Sequence, residues 1–135
     1  MRSKKIKILK GNKQASFLFY DKNEKIQLRI SGNAKKNYQN NMTLKSWGNT
    51  IHMSRQCYLG NKAPGANASE PTSGLTADVD NFKYTIEESE VGYKNFCLIK
   101  TFITSIEWLY LAAKGHRRAH FSLKNNSIEK IWIIP

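Results

Sequence analysis

The sequence has few of the residues that build disulfide-bonded scaffolds or metal sites. It contains only two cysteines, Cys57 and Cys97, with no Cys-x-x-Cys pair and no histidine at metal-ligand spacing. Two isolated cysteines are typical of free, buried thiols in a reducing compartment. The pattern argues against a zinc-stabilised domain and against a secreted, disulfide-rich one. It predicts a cytoplasmic protein without a metal site.

Long hydrophobic runs are also lacking. The apolar segments are much shorter than the roughly 20 residues that a membrane-spanning helix needs, and no apolar segment of a signal peptide follows the basic N-terminus. With 135 residues, 40% of them hydrophobic, the chain has the size and composition of one globular domain. We therefore expect a single domain over residues 1–135, with no membrane segment.

Acidic residues are scarce relative to basic ones. Ten Asp and Glu stand against 22 Lys and Arg, which gives a formal net charge of +12. Residues 1–14 carry six basic residues and no acid, whereas residues 70–90 hold six of the ten acids. An anionic membrane, a nucleic acid or a phosphorylated small molecule would each complement the charge. The acidic block argues against a uniform nucleic-acid-binding face.

The spacing of apolar residues indicates a mainly β protein with short helices. Alternation of apolar and polar residues, typical of strands, recurs along the chain, and both faces of the longest such segment are apolar. A segment rich in Gly, Pro, Asn and Ser, residues 60–74, is predicted to be a loop. The predicted strands are Ala15–Tyr20, 26–31, Phe96–Leu111, His116–Leu123 and Ile128–Ile134, and the predicted helices are Ser3–Lys10, Tyr38–Thr50, Met53–Tyr58 and a short one near Thr85–Val91.

The segment after the longest predicted strand places positive charge close to an aromatic residue. On a strand, His116, Arg118 and His120 share one face, and Arg117 and Ala119 share the other. This basic row, across a turn from Trp108, suggests a site where a planar anionic ligand stacks on apolar surface while cations neutralise its charge. The alternative is a solvated basic edge strand that deters edge pairing.

Motifs of the common hydrolases and nucleotidases are missing. There are no paired carboxylates, no Ser/His/Asp set and no Walker loop, so the sequence singles out no catalytic residue. Any chemistry would come from a cofactor that the protein binds and orients.

Four stretches, taken in order, resemble a known family. They are "RSKKIKIL" (Arg2–Leu9) with "ASFLFYD" (Ala15–Asp21), "KIQLRISGNA" (Lys25–Ala34), "MSRQCYLGNKAPGANASEPTSGLTADVDNF" (Met53–Phe82), and "IEWLYLAAKGHRRAHF" (Ile106–Phe121) with "IWIIP" at the C-terminus. Together they resemble the FMN-binding split β-barrel family that includes pyridoxamine 5′-phosphate oxidase, in an uncharacterised bacterial branch. The resemblance implies an antiparallel split β-barrel with flanking short helices. Family members normally have further strands before the first stretch, so the first barrel strands are expected to be lacking.

The resemblance also implies a cofactor and its contacts. The cofactor would be FMN, bound by a homodimer that acts as an oxidoreductase on a small molecule. The phosphate would lie at the predicted first helix. The flavin ring would contact the predicted second strand, the longest predicted strand and the strand that follows it. One subunit would also contribute two polar residues to the active site. The implied cofactor-binding residues are Arg2, Ser3 and Lys5 for the phosphate, Gln27, Trp108, Arg118 and His120 for the ring, and Ser54 and Arg55 for the active site. The family usually has arginine where His120 stands.

Other interpretations of the same residues remain open. The first residues could be a solvated basic terminus. Gln27 could be a polar residue on the solvent-exposed face of its strand, and Trp108 could be a core or interface aromatic residue. For the whole chain, the alternatives are a non-catalytic remnant of the split-barrel fold and a basic nucleic-acid-binding module. The acidic block and the lack of helix-turn-helix, zinc-ligand or RNP-type patterns argue against the latter.

Overall fold

The computed structural model describes residues 2–135, in which short helices accompany one antiparallel sheet. The elements in chain order are α1 Lys4–Gly11, β1 Gln14–Asp21, β2 Ile26–Asn37, α2 Asn41–Gly48, α3 His52–Arg55, a 3-10 helix Gln56–Tyr58, α4 Ala77–Asp80, a 3-10 helix Glu88–Asn95, β3 Leu98–Tyr110, β4 Arg117–Lys124 and β5 Ser127–Ile133. The strands form a five-stranded sheet in the order β1-β2-β3-β4-β5. The predicted mainly β fold with short flanking helices is confirmed.

The chain divides into two compact units. The helical unit comprises the described residues through Asn12 together with Lys36–Ile99, and the sheet unit comprises Lys13–Lys35 and Lys100–Pro135. No helix in the part of the chain that the structure describes is long and apolar enough to cross a membrane. The expectation of a single domain stays a prediction.

The core of the helical unit forms around Trp47, which is only 1% exposed. Its ring lies 5.3 to 5.9 Å from the rings of Phe96, Tyr58 and Tyr93. Helix α2, which carries Trp47, begins with a capping box. The side chain of the N-cap residue Asn40 accepts a hydrogen bond from the Thr43 backbone N–H, and the Thr43 hydroxyl accepts one from the Asn40 backbone N–H. This arrangement fixes the direction of the helix, so the sequence positions the Trp47 side chain through both capping and apolar packing.

The sheet unit is built from hairpins whose turns follow from local sequence. The β1–β2 turn begins at Asp21, whose carboxylate accepts hydrogen bonds from the backbone N–H groups of Asn23 and Glu24 in the same turn. The β4–β5 turn places Asn125 and Asn126 at positive φ, which asparagine tolerates better than most residues. Strands β2 and β3 approach so closely at Gly32 that a Cβ there would clash with the Phe102 carbonyl. Turn chemistry and this glycine thus fix the sheet locally.

Candidate functional site

A cavity of about 280 Å³ lies at the start of α1 in the helical unit. All three predicted phosphate ligands, Arg2, Ser3 and Lys5, are in its wall. Most of the remaining wall is neutral or apolar, and its other members are Ile6, Cys57, Tyr58, Pro64, Asn95, Cys97 and Ile99. The structure therefore brings Arg2, Ser3 and Lys5 together around one cavity.

The first turn of α1 suits an anion. The helix carries no acidic residue in that turn, and Ser3, at the N-cap position, makes no side-chain capping bond. Free backbone N–H groups and the helix dipole favour negative charge at this end. The Lys5 side chain is exposed beside it and has no ion pair among residues 2–135. Helix end, hydroxyl and ammonium thus form a phosphate-compatible set.

The Arg2 side chain also makes hydrogen bonds within the protein at this cavity. Its guanidinium donates to the carbonyl oxygens of Gly60 at 2.5 Å and Asn61 at 2.9 Å. These two residues begin the predicted loop, which contains no helix or strand up to residue 74. These two hydrogen bonds therefore hold the start of the described chain against the loop. Only the remaining N–H donors of Arg2 are available to a ligand.

The titratable Tyr58 and Cys97 side chains in the cavity wall carry no charge at neutral pH, so the charge of the cavity comes from its cations. Burial raises the pKa of the Tyr58 hydroxyl and of the Cys97 thiol. Both groups are therefore protonated and uncharged near neutral pH. Because the wall contributes no negative charge of its own, Arg2 and Lys5 determine the sign of the potential inside the cavity.

Ser54 and Arg55 take different positions from the phosphate set. Ser54 is exposed, whereas Arg55 is only 3% exposed. The Arg55 guanidinium stacks over the Trp47 ring at 4.5 Å and pairs with Glu90 at 2.6 Å. Its other donors bond the Trp47 carbonyl and the hydroxyls of Thr50 and Ser89. The structure gives Arg55 a packing role, and its contact with a cofactor stays a prediction.

In the sheet unit, the strand register decides which residues share a face. Trp108 pairs with Ala119, and Arg118 pairs with the neighbouring Leu109. Because directly opposed residues lie on the same face and successive residues alternate, Trp108 and Arg118 face opposite sides of the sheet. The interpretation that the basic row and Trp108 line one site is therefore wrong for a single sheet. His116, moreover, precedes β4 and lies outside the strand.

One side of the sheet, here called the polar face, gathers most of the predicted ring contacts. Arg118 and Glu107 form a hydrogen-bonded ion pair at 2.5 Å, and Arg29 lies 3.8 Å from the same carboxylate oxygen. The hydrogen bond from Arg118 holds the pKa of Glu107 below its ordinary value, so this carboxylate is ionised at neutral pH. The face also carries Gln27 and His120, whose ring nitrogen lies 3.2 Å from the Ser122 hydroxyl.

The opposite side, here called the apolar face, has a cavity of about 800 Å³. Trp108 lies in its wall, with its ring 6.3 Å from that of Trp132. The other residues of the wall are Leu28, Ile106, Ala119, Phe121, Lys130 and Ile131. Trp108 is thus placed among apolar side chains, whatever further contact it makes.

Sequence reasoning missed Glu107 and gave Arg29 no role. The alternation of β2 does put Arg29 on the same face as Gln27, so the sequence contained that signal. Glu107 lies on β3, which is next to the β2 strand of Arg29 in the sheet but far from it in the sequence, and only the structure shows that the two side chains meet. Residues 2–135 contain no group of three or more His, Cys, Asp or Glu side chains that could hold a metal ion.

Comparison with known proteins gives the fold a precedent. No protein-family model and no curated protein sequence matches the chain significantly. Among solved structures, the chain is similar to a pyridoxamine 5′-phosphate oxidase-related, FMN-binding protein from Nostoc punctiforme PCC 73102, with a TM-score of 0.77 and 16% identity over 99% of this chain and 69% of that one. It is also similar to PhzG from Burkholderia lata 383 in complex with tetrahydrophenazine-1-carboxylic acid, with a TM-score of 0.65 and 16% identity over 99% of this chain and 65% of that one. The chain therefore has the split-barrel fold of these proteins and spans about two thirds of their length.

Proposed function

We propose that this chain is an FMN-binding flavoprotein that holds the cofactor phosphate at the start of α1. The observation that carries the proposal is the cavity where Arg2, Ser3 and Lys5 surround a helix end free of acidic residues. The likeness to a solved FMN-binding protein supports it at the level of the fold. The net charge of +12 is consistent with an anionic ligand.

The residues present fit a phosphate monoester. Ser3 offers a hydroxyl without a capping bond, Lys5 an unpaired ammonium, and the first turn of α1 its backbone N–H groups. Arg2 contributes charge while it bonds the Gly60 and Asn61 carbonyls. Bound FMN would supply hydride or electron transfer, and the chain's residues would bind and orient it.

The flavin ring is proposed to contact residues of the sheet, in a homodimer. Gln27, Arg118 and His120 lie on the polar face and Trp108 on the apolar face, so one sheet presents only one of these sets to a given ligand. Two copies of the chain could present both sets. Large exposed apolar side chains support association, among them Leu18, Tyr20, Ile131 and Trp132.

The proposed activity is oxidoreduction of a small molecule. No catalytic residue is assigned, because the chemistry would belong to the flavin. PhzG, one of the structural neighbours, was solved with an aromatic carboxylic acid, and aromatic acids are therefore the first compounds to test. The two free cysteines fit a reducing compartment, and we propose the cytoplasm as the location.

The first test is a titration of the purified chain with FMN, followed by absorption and flavin fluorescence, with the molecular mass measured in solution. We expect a bound flavin spectrum, and weaker binding of riboflavin, which lacks the phosphate. Lys5→Glu should weaken FMN binding about tenfold or more, because it places a like charge beside the phosphate.

Lys10→Glu is the matched control, since it makes the same charge change in the last turn of the same helix. Equal losses in both variants would mean that only overall charge matters. A wild-type chain that ignores FMN but binds an oligonucleotide with steep salt dependence would favour the nucleic-acid alternative. A chain that binds neither would favour the non-catalytic remnant.

A further inference from the structure

The polar face contains a bridge of two arginines through one carboxylate, and no role has been assigned to two of its three members. This arginine bridge consists of Arg29, Glu107 and Arg118. A single oxygen of Glu107 accepts a hydrogen bond from Arg118 at 2.5 Å and lies 3.8 Å from a guanidinium nitrogen of Arg29. Three different strands supply the three residues, so the bridge depends on the register of the sheet.

Arg118 keeps most of its hydrogen-bonding capacity. Its side chain is 31% exposed, and its bond to Glu107 is the one hydrogen bond recorded for it within the described range. A guanidinium carries five N–H donors in a fixed fork. Arg55, by comparison, is buried and bonds five acceptors of the protein. The open donors of Arg118 are therefore available to an acceptor outside the chain.

The charge of the bridge specifies the acceptor. Two guanidiniums and one carboxylate leave one net positive charge, and Gln27 and His120 add polar groups on the same face. Such a group suits electron-rich oxygen acceptors such as the carbonyl oxygens of a flavin ring, because a guanidinium presents several N–H donors in a fixed fork. Glu107 itself is acceptor-only, so it does not bind those oxygens directly.

We propose that Glu107 is a positioning residue, which holds the guanidiniums of Arg118 and Arg29 in place so that their open donors receive the carbonyl oxygens of the flavin ring at the polar face. The inference rests on the proposed function, because it treats Arg118 as part of the flavin site. Without the carboxylate, two like charges would stand close together with nothing to orient them. Glu107 thus determines the direction of the donors and limits the positive charge of the face.

The direction in which Glu107→Gln changes the affinity for FMN tests the proposal. Glu107→Gln removes a negative charge, so a purely electrostatic role predicts tighter FMN binding. A positioning role predicts the reverse, with FMN affinity falling about tenfold while the far-UV circular dichroism spectrum stays that of the wild type. Glu107→Asp, which keeps the charge on a shorter side chain, should recover part of the loss.

Glu129→Gln is the matched control. Glu129 lies on the polar face opposite Ser122, is exposed and has no ion pair in the described chain. Its loss changes the charge equally and should leave FMN affinity unchanged or slightly higher. Tighter or unchanged binding in Glu107→Gln would overturn the proposal and leave FMN binding itself standing.

A second measurement separates this proposal from the proposed function. In low-temperature ¹⁵N NMR spectra, the Nη–H signals of Arg118, identified by their disappearance in Arg118→Lys, should be resolved in the wild type, where an Nη–H group donates to Glu107, and averaged by rotation in Glu107→Gln. If the wild type binds no FMN, the proposed function fails, and these signals still decide whether Glu107 positions Arg118. Signals that are the same in both proteins would overturn the positioning role.

Discussion

The helical unit and the sheet unit treat their tryptophans in opposite ways. Trp47 in the helical unit is 1% exposed and contacts three other rings, whereas Trp132 in the sheet unit is 75% exposed. The residues buried in the sheet unit are small, namely Gly32, Ala34 and Ala119. The helical unit thus has a core of its own, and the apolar side chains of the sheet remain available for association.

The same contrast holds for two arginines. Arg55 is enclosed by the helical unit, stacked on Trp47 and paired with Glu90. Arg118 is half-buried on the sheet and makes one bond, to Glu107. An arginine whose donors are all engaged stabilises the structure, whereas one with open donors can bind a ligand. We therefore expect packing to be the role of Arg55 and ligand binding that of Arg118.

The largest effect expected is on the core of the helical unit. Trp47→Ala should lower the free energy of unfolding by about 3–5 kcal/mol, because it removes a buried aromatic residue and leaves a cavity. Trp132→Ala should change that free energy by less than about 0.5 kcal/mol, since the side chain is exposed. Urea unfolding at low protein concentration, where association is minimal, measures both. Similar losses in the two variants would show that the sheet unit has a comparable core.

A smaller effect is expected from the arginines. Arg55→Met should lower the free energy of unfolding by about 2 kcal/mol, because the charged hydrogen bonds to Glu90 and its neighbours are lost. Arg118→Met should change it by less than about 1 kcal/mol, since an ion pair that is still partly exposed to solvent contributes little. Only Arg118→Met should weaken FMN binding. Methionine keeps the apolar stem in both cases, and weaker FMN binding by Arg55→Met at unchanged stability would contradict the assignment.

The smallest effect is on the pH dependence of stability. Hydrogen bonds from Trp47 and Arg118 hold the pKa values of Glu90 and Glu107, respectively, below the ordinary value of 4.5. A lowered pKa in the folded state stabilises the protein above the unfolded pKa, and this contribution is lost as pH falls through the folded pKa. Urea unfolding between neutral pH and pH 3 should therefore show a shallower acid decline in Glu90→Gln and Glu107→Gln. An unchanged slope would mean that neither carboxylate interaction contributes measurably.

Much of the fold could be predicted, because its signals are local. A run of apolar and aromatic residues identified β1, alternation identified β2, Asp21 marked their turn, and composition identified the loop after Tyr58. Helix α4 was missed, because four residues with two apolar side chains among them are too few to give a periodic pattern. The grouping of residues into two compact units has no local signal in the sequence, since it depends on contacts between segments far apart in the sequence.

The candidate site was predictable only where its members are neighbours in sequence. Arg2, Ser3 and Lys5 lie within one helical turn, and the structure places them around one cavity. The pairing of β3 with β4 was not predictable, because the connection between Tyr110 and Arg117 is too long to fix the register. One residue of shift would have brought Trp108 and Arg118 to the same face. The burial of Arg55 depends on Glu90, 35 positions away.

The order of strands along the chain has a consequence for synthesis. The β1–β2 hairpin ends at Asn37, and its next neighbour in the sheet, β3, begins only at Leu98. At about 5–20 residues per second, a ribosome needs about 3–12 seconds to make the intervening segment. During that time Phe17 and Phe19 have no β3 to complete the sheet beside their hairpin. We therefore expect chaperones that cover nascent apolar hairpins to raise the yield of this protein.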